Sequence, residues 1–392
     1  MITPIREADH RTALRAGLRA RAAGEVPLIG DERWSAQHWA QILNDIADRE
    51  LPEGTAWATF TSGSAARPRV VLRSAASWEV SFATVDALYG LAAKGSERDA
   101  VLIPVHPVSS MAVYAAAHAQ WRGMEFTTAA GHRLQAEDLD GPTLMHGTPW
   151  HLRELVDLME AGARCSIGSV LIGGAALDPA LTARARALGL RTVSYFGAAE
   201  LSLVAADTGS GMRAVDGVEL QICDGVLWVR TPQLALTTLG DGGSWRRQQG
   251  WASVGDRAEL TEDGTLHLHG RDDDAVLTAG ATVVPADVEA VIAAFETVEA
   301  VLVLGEPDPL LGQRLVAYVK PRGSTGAHDT PDHEALDHTA LIRAVRAQLA
   351  PAQWPRHWRI VEHLPRTGSG KVRRLSPEEA AALPRRERSR SR

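Results

Sequence analysis

Short apolar runs that end on glycine or small polar residues, each followed by a stretch with helical spacing, dominate residues 55–195. Ala56-Trp57-Ala58-Thr59-Phe60 runs into a loop of hydroxyl residues and glycine, and a helix is expected over 76–93. Val101-Leu102-Ile103-Pro104-Val105 precedes helical spacing near 110–120. Val170-Leu171-Ile172-Gly173-Gly174 precedes a helix at 178–188, then the strand Arg191-Thr192-Val193-Ser194-Tyr195. Strands that alternate with helices argue for an α/β fold with mostly parallel strands.

The pattern differs on either side. Residues 8–50 read as helices with polar loops, from Leu14, Leu18 and Trp39-Ala40-Gln41-Ile42-Leu43. Within 213–270, Val218–Ile222, Val226–Val229 and Leu266–His269 read as antiparallel strands, with a hairpin turn at Asp263-Gly264. After Gly270, a helix from Pro285 to Phe295 and the strand Ala300–Leu304 begin a smaller α/β unit, and 322–336 reads as a loop. The expected division is 1–269, a large N-terminal domain of α/β sheets with a small β-rich subdomain; 270–380, a small mobile α/β C-terminal domain; and 381–392, a disordered basic tail.

Composition removes several function classes. A net charge of -7 argues against a nucleic-acid partner. No apolar run of about eighteen residues occurs, so no membrane span is expected, and Met1-Ile2-Thr3-Pro4 does not start a signal peptide. Two cysteines, Cys165 and Cys223, do not make a disulfide framework, and a cytoplasmic setting is expected. Ser109 and Ser110 lack the G-x-S-x-G context of a hydrolase nucleophile. His267 and His269 alternate on one strand without an obvious third metal ligand, which reads as an exposed face.

The stretches with chemical potential are loops. Thr61-Ser62-Gly63-Ser64, followed by Arg67-Pro68-Arg69, combines small residues, hydroxyls and cations, as a phosphate cradle needs, and it is not a Walker loop. By itself it reads more readily as a surface loop. Gly368-Ser369-Gly370-Lys371 presents one ammonium on a flexible turn. Lysine is scarce in this arginine-rich chain, so its use there points to a compact point charge.

Together these stretches resemble, in order, the motifs of the adenylate-forming superfamily of acyl-CoA synthetases, luciferases and adenylation domains. Thr61, Ser62, Gly63, Ser64 and Pro68 match its TSGSTGxPK loop, whereas Ala65, Ala66 and Arg69 depart from it. Gly173-Gly174-Ala175-Ala176-Leu177 is similar to the GGAPL-type turn near the adenine. Phe196, Gly197 and Glu200 match YGxTE, with Ala199 in place of threonine. Trp251–Asp256 resembles WxxTGD, Gly270–Asp274 resembles GRxDD, and Leu364–Arg374 resembles LPxTxSGKxxR. The matches run from 61 to 374, about four-fifths of the chain.

The resemblance implies an adenylate-forming fold shortened at its N-terminus, as in compact members such as the o-succinylbenzoate-CoA ligases. It implies ATP-dependent activation of a carboxylic acid through acyl-AMP, then thioester formation with coenzyme A; the acid is a small molecule of fatty or aryl type, such as o-succinylbenzoate. Lys371 would bridge carboxylate and α-phosphate, and Glu200 would hold Mg²⁺. Thr61, Ser62, Gly63, Ser64 and Arg69 would meet the phosphates. Gly174, Ala175, Phe196 and Gly197 would meet the adenine, and Asp256 and Arg271 the ribose. Asp273 would be the hinge, with His106 at the acyl pocket and Gly280 beside the coenzyme A tunnel. Leu277 and Thr282 stand where many members carry cations. Two alternatives stay open: an adenylation enzyme that loads an acyl carrier protein, and a degenerate nucleotide-binding protein, the latter because of Ala65, Ala66 and Ala199. Monomer and homodimer are both compatible.

Overall fold

Five parallel strands form the centre of the chain in the computed structural model, which describes residues 1–60, 69–91, 99–129, 131, 133–240, 245–271, 276–278, 281–308, 312–322, 338–349, 351–367 and 370–384. The chain divides into two units. One comprises Met1–Val254, Glu259–His267 and Thr367–Lys371; the other comprises Gly255–Ala258, Leu268–Arg366 and Val372–Arg392.

In the first unit a seven-stranded sheet has the order Met212–Ala214, Ser202–Asp207, Arg191–Ala198, Ser169–Ile172, Leu144–Gly147, Ala100–Ile103, Glu125–Thr128. The last five run parallel and the first two are antiparallel additions. Parallel neighbours need crossovers, and the helices Ser110–Arg122, Pro149–Glu160 and Pro179–Ala187 provide three of them. Each begins on a cap. Ser109 and Asp178 accept backbone N–H groups of the first turn, and Thr148 caps the helix that opens with Pro149. Leu102, Met145, Val170 and Ile172 of the sheet pack with Leu152, Leu155 and Leu181 of the helices, all fully buried. Each such side chain stabilises the fold by about 1.5–3 kcal/mol. The α/β class read from the alternation is therefore the observed one.

The first fifty residues hold more than the expected helices. His10–Ala22 and Ala36–Ala47 are helical, but Ile2–Ile5 and Val26–Ile29 form a parallel strand pair. Val26-Pro27-Leu28-Ile29 is buried at all four positions, and a proline inside so short an apolar run disfavours a helix. A separate sheet joins Thr55–Phe60, Val70–Ser74 and Thr237–Leu239. The antiparallel region is as read: Glu219–Cys223 pairs with Val226–Arg230 across Asp224-Gly225, where both residues have positive φ (53° and 76°), as a tight hairpin turn requires.

In the second unit, Ala281–Val283, Val276–Thr278, Gly312–Pro321 and Val298–Asp308 lie side by side, and His357–Ile360 runs parallel to Gly312–Pro321. The period-2 alternation of its long strands makes two cores. Val303, Ala317 and Val319 meet Val288, Ile292, Leu341 and Val345 of the helices Pro285–Ala293 and His338–Gln348. On the opposite face Leu302, Val316 and Tyr318 meet Val361, Leu364 and Leu375. The expected loop at 322–336 and the basic tail fall almost wholly outside the described residues. Among the described residues no helix is long and apolar enough to cross a membrane.

One glycine is fixed by packing alone. A Cβ on Gly173 would lie 2.3 Å from the Tyr195 ring, so Gly173→Ala should destabilise the protein by about 1–3 kcal/mol in urea unfolding. Gly168→Ala, at an exposed site with nothing within 4 Å, should change stability by less than about 0.5 kcal/mol. Equal small effects would show that the ring does not rest on Gly173.

Candidate functional site

A pocket opens at the C-terminal ends of the parallel strands, where open α/β sheets bind ligands. It is lined by residues that follow or end four of those strands, among them Ser109, His146, Gly174 and Tyr195. Including its open mouth it encloses about 700 Å³, within the range of small-molecule sites.

Two glycines make room for the mouth. Gly174 has φ +91°, and a Cβ there would come within 2.9 Å of Cε of Lys371. The lysine thus reaches over a residue that only glycine can be. Lys371 closes a short loop: Thr367 N–H donates to the Lys371 carbonyl (2.8 Å), Gly370 N–H donates to the Thr367 carbonyl (2.9 Å), and Gly370 takes φ +80°. Gly197 is the second. A Cβ there would lie 2.2 Å from the Ser202 carbonyl oxygen, because the chain reverses at once into the antiparallel strand Ser202–Asp207.

The turn between those strands carries Glu200, which is 4% exposed. One nitrogen of Arg69 lies 3.4 Å from its carboxylate, and the other, Nη1, is buried with no hydrogen-bond partner among the described residues. A buried, unsatisfied guanidinium nitrogen is costly unless an anion meets it. Arg73 is wholly buried behind this turn. Its Nε and Nη2 donate to the Ala199 carbonyl (2.9 and 2.7 Å), and Nη1 donates to the Gln233 carbonyl (2.6 Å) and to Ser77 Oγ (3.3 Å). Burial pulls the guanidinium down to about 9, against the pull of Glu200, so it stays a cation at neutral pH.

The inner end of the pocket is uncharged. Trp78, Val85, Leu171 and Leu203 line it with Tyr114 and Tyr195. Tyr114 shares a hydrogen with Ser81 Oγ (2.7 Å), and Tyr195 with His146 Nε2 (2.9 Å). Burial lowers His146 to about 3 and raises both phenols well above their ordinary value, so all three are neutral at pH 7.

Of the residues singled out from sequence, the pocket brings together Gly174, Gly197 and Lys371, with Arg69 and Glu200 paired on the turn that begins at Ala199. Phe196 lies between Tyr195 and Gly197 and by strand alternation faces away from the pocket they line. Ala175 is exposed beside Gly174. Asp256 begins the strand Asp256–Leu260 and belongs to the second unit. Arg271 ends the strand Leu266–Arg271, and its side chain is outside the described set, as are those of Leu277 and Thr282. Thr61, Ser62, Gly63, Ser64, Ala65, Ala66, Pro68, Asp273, Gly280, Gly368 and Ser369 lie outside the described residues.

His106, expected at an acyl pocket, is not among the residues that line this pocket. Its Nδ1 accepts the Val108 N–H (3.1 Å), so Nε2 carries the hydrogen and donates it to Glu32 (2.8 Å). Burial lowers its pKa despite Asp31 and Glu32. His10, Glu32 and His106 bring three donor atoms within 4.8 Å of one another, but a protonated Nε2 has no lone pair for a metal. Sequence reading passed over Arg73, Tyr114 and His146. The one signal was an arginine at the end of the apolar run Val70-Val71-Leu72.

Comparison with known proteins gives the following. Residues 4–236 match the AMP-binding enzyme family, and residues 287–371 match the AMP-binding enzyme C-terminal domain. The chain is 28% identical over 339 residues to 2-succinylbenzoate–CoA ligase of Escherichia coli, covering 82% of this chain and 68% of that protein. Against the Listeria innocua ligase of the same name it is 28% identical over 235 residues, 57% of this chain and about half (48%) of that one. Its fold is similar to that of o-succinylbenzoate CoA synthetase from Bacillus subtilis in complex with the acyl-adenylate OSB-AMP. That match has a TM-score of 0.77 at 19% identity and covers 95% of this chain and 87% of that one.

The dryness of the inner end has a thermodynamic signature. Unfolded, His146 takes up a proton near its ordinary 6.5; folded, only near 3. The unfolded chain binds the extra proton between those values, so stability falls as pH falls through that window. His146→Gln keeps a hydrogen-bond partner for Tyr195 and removes the titration. Denaturation between pH 4 and pH 7 should then show a slope shallower by up to ~1.4 kcal/mol per pH unit. An unchanged slope would place His146 in contact with water.

Proposed function

The chain belongs to the AMP-binding enzyme family, and on that premise we propose that it joins a carboxylic acid to coenzyme A through an acyl-adenylate. The family is that of AMP-forming acid–thiol ligases, so ATP and coenzyme A are its co-substrates. The observation that carries the reading is Lys371, held over Gly174 at the mouth of the pocket.

In the first step a carboxylate oxygen attacks the α-phosphorus of ATP and pyrophosphate leaves. Lys371 sits between the two reacting anions and neutralises charge as it develops on the α-phosphate oxygens. Arg69 turns a second cation toward the phosphates. Glu200 offers the hard oxygen that Mg²⁺ prefers, in a buried place with a cation beside it, so the residues fit the ion. Glu200 would hold Mg²⁺, which would supply positive charge against the phosphates. Thr61, Ser62, Gly63 and Ser64 hold the phosphates in this reading, Gly174, Ala175 and Gly197 the adenine, with Phe196 on the far face of the strand behind Gly197, and Asp256 and Arg271 the ribose. In the second step the thiol attacks the acyl carbon and AMP leaves. Asp273 is the hinge between the two conformations this requires, and Gly280 borders the thiol's path. The acid is of fatty or aryl type, and the setting is cytoplasmic, in keeping with two free cysteines.

Lys371→Ala tests the assignment. Acyl-AMP formation, read as pyrophosphate release, should fall by about 10²–10³, as for removal of one preorganised charge. Thioester formation from supplied acyl-AMP and coenzyme A should remain largely intact. Parallel loss of both half-reactions in a folded variant would make Lys371 structural, and no loss in either would remove the adenylation role.

A further inference from the structure

The pocket distributes charge unevenly along its length. Its mouth holds the ammonium of Lys371, whereas its inner end holds Trp78, Val85, Leu171 and Leu203 and two hydrogen-bonded neutral pairs, Tyr114 with Ser81 and Tyr195 with His146. Among the described lining residues Lys371 is the sole cation. The buried guanidinium of Arg73 lies 5.7 Å from the centre of the Trp78 ring and does not line the pocket. Each of its nitrogens already donates, to the Ala199 and Gln233 carbonyls and to Ser77.

We propose that this pocket selects compact monocarboxylic acids with an uncharged aromatic or aliphatic tail, and rejects diacids whose second carboxylate would reach its inner end. The inference rests on the acid-activating reading of the site and names its substrate class. One carboxylate meets Lys371 at the mouth. A second, carried inward, would exchange water for aromatic faces and phenols, with no cation among the described lining residues there to balance it; an unpaired buried carboxylate is among the costliest groups a protein can accept. His146 stays neutral and gives no compensating charge. A neutral carbonyl or hydroxyl on the tail, by contrast, finds a partner in Tyr195 or His146. The same argument applies to 2-succinylbenzoate, which carries two carboxylates.

Matched acids test this on the unaltered enzyme. 2-Succinylbenzoate is compared with 4-oxo-4-phenylbutanoate, the same acid without the ring carboxylate, and glutarate with pentanoate. Pyrophosphate release gives kcat/KM for each. The monoacid of each pair should exceed its diacid by about a hundredfold or more. A diacid used as well as its partner, or better, would overturn the proposal. Calorimetric binding of the two acyl-sulfamoyl adenosines, bearing the succinylbenzoyl and the 4-oxo-4-phenylbutanoyl group, reads the same preference without turnover. If no acid releases pyrophosphate but the monoacyl compound binds at least tenfold tighter, the ligase reading falls and the pocket preference stands. If acids are activated but diacids are favoured, the ligase reading stands and the preference falls.

Discussion

A wholly buried cation holds the wall of the site. Arg73 on the strand Val70–Ser74 reaches carbonyl groups 126 and 160 residues away, on Ala199 and Gln233, and a hydroxyl on the next helix. An enclosed guanidinium is tolerable only when its hydrogens are matched, and these are. The network continues outward: the Gln233 side chain accepts from Leu203 N–H (3.2 Å), and Ala235 N–H donates to the Glu200 carbonyl (2.8 Å). The turn that carries Glu200 is therefore tied on both sides to the strands around it. Loss of Arg73 would leave the Ala199 and Gln233 carbonyls without its hydrogen bonds, which costs more than any single hydrogen bond contributes.

That fixed wall lets the remainder of the pocket be shaped by absence. Gly173 admits the Tyr195 ring, Gly174 admits Lys371, and Gly197 admits the reversing backbone. Burial at the inner end lowers His146 and raises both phenols, which moves all three further from carrying charge at neutral pH. The Lys371 ammonium then faces described lining residues whose other polar groups are dipoles. Electrostatic contacts are stronger there than in water, so charge at the mouth and neutrality within act as one design.

The parallel half of the fold was legible because each of its strands is a near-continuous apolar run ending on a small residue, as strands covered by helices on both faces must be. Glycine-rich context likewise drew attention to Gly174, Gly197 and Lys371, which line one pocket. Arg73 and His146 were not legible, for a physical reason. Their meaning lies in partners 126 and 49 residues distant, and no local spacing encodes such contacts. His106 shows the converse. Its Pro-Val-His-Pro-Val setting drew attention to it, but its ring is held by Glu32, 74 residues earlier. The strand Val26–Ile29 was passed over because its partner Ile2–Ile5 is equally short and neither shows alternation.

The account turns on whether a carboxylate oxygen attacks the α-phosphate. An ¹⁸O-labelled acid follows that oxygen directly. When the thiol attacks the acyl carbon of an acyl-adenylate, the bridging oxygen leaves with AMP. The account predicts one labelled oxygen in AMP and none in pyrophosphate, read by mass spectrometry after turnover with ATP and coenzyme A. Thioester formation with the label in inorganic phosphate, or with unlabelled AMP, would contradict it.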